Sequence, residues 1–122
     1  MCLDKLQKIR LPKDNIGYQA LEYKDGVYSR WSEPSKKLYK PDKFYDSKSK
    51  GKMAYTQMLE TYEPAFHICR YKKDAEGFAQ DKDVFRGGTI VVRKVEFKEV
   101  IHTGIQWGAK IIVARIRKIL EK

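Results

Sequence analysis

A chain of 122 residues, 42% of them hydrophobic, suffices for one domain whose core buries roughly two-thirds of the surface an unfolded chain exposes, and is short for two. No apolar run approaches the ~20 residues of a membrane-spanning helix, and two cysteines cannot make a disulfide framework. The 26 Lys and Arg against 16 Asp and Glu leave a net charge of +10, which favours polyanionic partners over cationic ones.

The chain opens Met1-Cys2-Leu3-Asp4-Lys5-Leu6, with an acid where a signal peptide would be apolar, so the expectation is a cytoplasmic protein with reduced thiols. Leu3, Leu6 and Ile9 could form one short helical stripe, ended by Pro12. Residues 1–16 therefore read as an N-terminal arm of low order that lays leucines on the body, and residues 17–122 as a single domain. Gly17 to Tyr23 and Val27 to Trp31 are aromatic-rich runs separated by Asp25-Gly26, a strong hairpin signal because the glycine supplies the positive φ the turn needs.

Lys36 to Lys40, with Leu38 and Tyr39, reads as a short edge strand before Pro41. Residues 46–52 are polar and small, a flexible loop by composition. Residues 53–62 read as one or two helical turns or an irregular segment, stopped by Pro64. Ala65 to Tyr71 is a strand candidate, followed by an amphipathic helix over 72–80 in which Ala75, Phe78 and Ala79 share a face.

From Thr89 to Lys98 β-branched residues alternate, with Thr89, Val91, Val95 and Phe97 on one side. The run from Lys110 to Arg117 is apolar on both faces near its start, as a central strand is. Two glycines between them, Gly104 and Gly108, predict a connection over residues 101–108. The fold class is therefore α+β: an antiparallel β-sheet with one short helix packed on one face.

Several short motifs resemble a loose group of small uncharacterised bacteriophage and bacterial proteins. They are the Gly17-Tyr18 start, Phe66-His67 followed by Asp74-Ala75 on a helix, Val92, Val95, and Gly104 with Gly108-Ala109 before a closing apolar strand; Met1-Cys2-Leu3 also looks like phage members. The chain departs from the group in having Ala65 before Phe66 and Gln106-Trp107 in the last hairpin. The resemblance implies a phage or mobile-element accessory protein in a bacterial host, of the anti-CRISPR-like kind that inhibits a defence system by binding one of its parts.

His67 and Cys69, two apart on a strand, share a face, and His102 lies on a neighbouring segment. With a fourth ligand these could hold zinc; the plainer alternative is a half-buried histidine and a core thiol. His67 and His102 could instead be acid and base of a small metal-independent ribonuclease. Phosphate-loop, dinucleotide and serine-elbow patterns are absent from the sequence, so the chain reads as a non-enzymatic binder without a cofactor or metal.

Charge is bunched. Lys36, Lys37, Lys40, Lys43, Lys48, Lys50 and Lys52 interleave with Tyr39, Phe44 and Tyr45, the mixture of cations and flat rings that single strands favour. Arg115, Arg117 and Lys118 form a second cluster, and Trp107 beside a glycine is a candidate anchor. The same residues could equally be a lysine-protected edge, solubilising charge, and plugs for the core. The expected partner is nucleic acid or a host nucleoprotein.

Overall fold

The computed structural model describes residues 3–29, 38–80 and 89–121. Seven strands come first: β1 (Lys5–Leu6), β2 (Ile16–Lys24), β3 (Val27–Ser29), β4 (Leu38–Tyr39), β5 (Phe44–Asp46), β6 (Ala54–Tyr55) and β7 (Thr61–Tyr62). Then come β8 (Phe66–Cys69), the helix α1 (Lys72–Ala79), and the two long strands β9 (Thr89–Gln106) and β10 (Ala109–Ile119). The architecture is a large, wholly antiparallel sheet with one short helix, as the sequence predicts, though the sheet outweighs the helix.

Both predicted hairpins form. Asp25-Gly26 joins β2 to β3 with φ of 52° and 81°, and Trp107-Gly108 joins β9 to β10 with φ of 52° and 79°. Two successive left-handed residues give the tight turn whose twist matches the strands. The expected connection over 101–108 shrinks to those two residues, because β9 runs on to Gln106. Gly104 serves packing within the strand: a Cβ there would stand 2.5 Å from the Lys5 carbonyl oxygen and 2.8 Å from Leu3 Cδ1.

The length of β9 allows the sheet to close. Its first half pairs with β2, from Thr89↔Tyr23 to Glu96↔Ile16, and its second half pairs with β10. β10 pairs on its other side with β8, and β8 returns to β2 through Tyr18↔Cys69. The ring β2–β9–β10–β8 is a small barrel filled by its own side chains. Inside lie Leu21, Tyr28, Tyr39, Phe66, Ile68, Val95, Phe97, Ile112, Ala114 and Ile119. A second apolar layer, including Leu3, Tyr62, Ala65, Cys69, Ala75, Ile111 and Val113, lies on the opposite face of β8 and β10, beneath α1 and the N-terminal segment.

The inward set changes parity along β10. Ile112 and Ala114 face the barrel interior, and so do Arg117 and Ile119, three residues on from Ala114 rather than two. Opposite this break lies Glu99, a strand residue in the left-handed region at φ 55°, and the register shifts between Val113 and Ala114. Such an irregularity bends a strand and re-aims side chains.

Two expectations are corrected. Residues 53–62 form no helical turn; β6 and β7 pair there as a hairpin, Ala54↔Tyr62, with Thr56 Oγ1 accepting the Glu60 amide at 3.0 Å. Leu3 and Leu6 make no helical stripe: β1 pairs with β9, and Leu3 is wholly buried. The arm thus contributes to the second layer. The end of the second predicted strand (Arg30, Trp31), Lys36 and Lys37 lie outside the described residues. Among the described residues no helix is long and apolar enough to cross a membrane.

Candidate cationic face and histidine cluster

β5 sets the geometry of the cationic face by pairing with the far end of β10, Phe44↔Lys118, Tyr45↔Arg117 and Asp46↔Ile116. Phe44 is half-buried, and two ammonium groups stand over its ring: Lys98 Nζ at 4.0 Å and Lys118 Nζ at 4.6 Å from the centroid. Lys43 Nζ stands 5.4 Å from the Tyr45 ring. Lys118 also meets Glu96 at 3.4 Å, a partly exposed pair of small energetic weight. Lys98 joins the face although sequence reasoning does not single it out. Its one signal is the alternation Lys94, Glu96, Lys98 on the outward side of β9.

The loop after β5 is tied to the same edge. The Ser47 amide donates to the Arg115 carbonyl at 2.8 Å, and Ser49 Oγ donates to Glu63 Oε2 at 2.8 Å. Lys40, Lys48, Lys50 and Lys52 are exposed, the last three along this loop. Tyr45 is half-buried, its hydroxyl accepting the Lys40 amide at 2.9 Å.

Other predicted binding residues stand elsewhere. Arg117 is fully buried inside the barrel, its guanidinium 4.4 Å from the Tyr39 ring centroid and 4.2 Å from that of Phe66, with Nη1 donating to Gln19 Oε1. Gln19 in turn donates to the His67 carbonyl at 2.8 Å. Arg117 is therefore corrected from a surface cation to a core residue, and Tyr39, at 5% exposure, from a stacking platform to its packing partner. Arg115 grips Glu63 with two hydrogen bonds of 2.7 and 2.8 Å, which hold that carboxyl down at about 2; burial opposes the shift and Ser49 assists it. Trp107 is exposed but packs 5.3 Å from Phe78 of α1. It lies at the other end of the eleven-residue β10 from Lys118, roughly 30 Å along the strand at ~3.3 Å per residue. The predicted set therefore does not form one surface.

The structure does gather the histidines. His67 on β8 and His102 on β9 are both register partners of Val113 on β10, so they share a face on either side of it. The Tyr62 ring stands edge-on to both, at centroid distances of 5.8 and 6.0 Å. Its hydroxyl accepts the Leu3 amide at 3.2 Å and lies 3.1 Å from His67 Nε2. Cys69, on the same face as His67, is buried, and burial pushes its thiol up to about 12. Among the described residues no three His, Cys, Asp or Glu side chains come together where a metal ion could be held.

Comparison of the chain with family models, with curated proteins and with solved structures gave no match in any of the three.

Proposed function

We propose that the protein is a non-enzymatic polyanion-binding module, and that its binding face is the outward side of β5 and the adjoining ends of β9 and β10. The supporting observation is the Phe44 ring with Lys98 and Lys118 held over it, on a strand flanked in sequence by the exposed Lys43 and by the Lys48–Lys52 loop, while Tyr45 turns inward against the core. The two ammonium groups can meet phosphates, and moving off the ring to do so bares it for a base, a stacking worth ~1–3 kcal/mol per base. The charge excess, together with the resemblance to phage proteins, makes nucleic acid or a host nucleoprotein, such as a defence complex, the partner class we infer.

Affinity for single-stranded RNA and DNA measured against salt tests this. The Lys98→Glu, Lys118→Glu double variant should lower the logarithmic salt slope by about 0.7 for each phosphate that is no longer neutralised. An unchanged slope would remove this face from the binding reaction.

The histidine pair supports a second reading, a metal-independent ribonuclease, since His67 and His102 stand two strand spacings apart on one face, roughly 10 Å between backbones. It predicts RNA degradation in the presence of a chelator that disappears in His67→Ala and in His102→Ala.

A further inference from the structure

The cleft between the first turn of α1, the start of β2, the first third of β9 and the segment after β10 has no part in either reading above. We propose that it binds a phosphate monoester. Lys72, Arg93 and Lys94 line it, and its volume is about 170 Å³. That is below the roughly 300–1,000 Å³ of pockets that engulf a whole small molecule, so the cleft takes the end of a ligand.

Among the described residues none of the three cations is in a direct ion pair, and against the one carboxylate of the lining, Glu121, they leave a net charge of +2. Arg93 is oriented by neutral acceptors: Nε donates to the Tyr28 hydroxyl at 3.1 Å and Nη1 to the Val92 carbonyl at 3.4 Å. The Tyr28 hydroxyl donates in turn to Glu121 at 3.1 Å, which ties this carboxylate of the lining to the hydroxyl that orients Arg93. The Leu120 amide donates to the Lys94 carbonyl at 2.9 Å and fixes the far wall, and Tyr18 faces Lys94 across the β2–β9 ladder. Lys72 opens α1, whose N-cap residue, Tyr71, offers its first-turn amides no side-chain acceptor; the helix's positive end thus lies at the same edge. Its first-turn acid, Asp74, does not line the cleft.

A monoester group fits this arrangement better than a strand interior does. It brings nearly two negative charges and three acceptor oxygens to one point, against one charge for a diester. Tyr18 and Glu121, which also line the cleft, can meet the hydroxyls of an attached sugar. Ligands of this chemistry come from two sources, free nucleotides and the phosphorylated end of a strand.

Titration of the full chain with adenosine monophosphate, adenosine and inorganic phosphate tests the proposal, followed by amide shifts. The monophosphate should bind at least tenfold more tightly than adenosine and should move the amides of Lys72 to Asp74 and of Arg93 and Lys94. Lys72→Ala with Lys94→Ala, both exposed residues, should weaken it at least fivefold, whereas Lys98→Glu with Lys118→Glu should leave it within twofold. A 5′-phosphorylated oligoribonucleotide that outbinds its 5′-hydroxyl twin assigns the site to strand ends; equal binding of the two, with the monophosphate still bound, assigns it to free nucleotides. Equal affinity for adenosine and its monophosphate, or indifference to the Lys72, Lys94 double variant, overturns the proposal. The face around Phe44 is tested by salt slope alone, so either reading can fail without the other.

Discussion

A guanidinium between two aromatic rings inside a barrel gives up its hydration, and Arg117 recovers part of that through Gln19 and through the ring faces of Tyr39 and Phe66. Arg117→Ala would open a cavity and strand the Gln19 carbonyl, so urea unfolding should show a loss of about 3 kcal/mol. The nucleic-acid salt slope should not change; a shallower slope would mean that Arg117 reaches phosphate. Cys69 gives a second check at this scale. Its buried thiol, up at about 12, should not react with a thiol reagent at pH 8 in a Cys2→Ser background until denaturant is added. Labelling of the native protein would show that the layer under α1 opens readily.

Among the elements, a tightly constrained contact is where β2 meets β8. A Cβ on Gly17 would overlap the Ile68 side chain and stand 3.0 Å from the Cys69 carbonyl oxygen, beside the one register pair that closes the ring. Gly17→Ala should therefore cost on the order of 3 kcal/mol. Gly26→Ala has open space around its Cβ and only a left-handed φ of 81° to oppose it, so about 1 kcal/mol is expected. Denaturant midpoints of the two variants compare packing with backbone strain directly, and equal midpoints would show that the closure is soft. β9 could be read as a strand to Lys98 from its alternation. Beyond that its glycine and its mixed residues resemble a loop, because the partners that keep it extended, β1 on one side and β10 on the other, come from the two ends of the chain.

At the scale of the whole molecule, acid sensitivity depends on the tie between the β7–β8 connection and β10. Glu63 titrates from an ordinary value of 4.5 down to about 2 because Arg115 donates to it in the folded state. A depressed carboxyl stabilises the fold fully above about pH 4.5 and progressively less as pH falls towards 2. Stability measured against pH should therefore drop through that window, and Glu63→Gln should be less stable at neutral pH but converge with the parent near pH 2. Parallel curves would assign acid unfolding to other carboxylates.

Local pattern was enough for the Asp25-Gly26 turn, the helix that carries Ala75 and Phe78, and the central antiparallel pair, though not for the two-residue length of its turn at Trp107-Gly108, because turn chemistry and side-chain period act over a few residues. The same pattern grouped Lys43, Lys48, Lys50 and Lys52 through their nearness in sequence, whereas Lys118 reaches them only through the pairing of β5 with β10. Tertiary structure alone decided that the sheet closes, that Arg117 points inward while Arg115 reaches Glu63, that Lys98 joins Phe44, and that two histidines 35 positions apart flank Val113. The reason is physical: alternation tells which residues share a face, but which face is interior depends on where a strand bends and what it pairs with. At Glu99 that bend reverses the inward parity without any local signal that alternation can register.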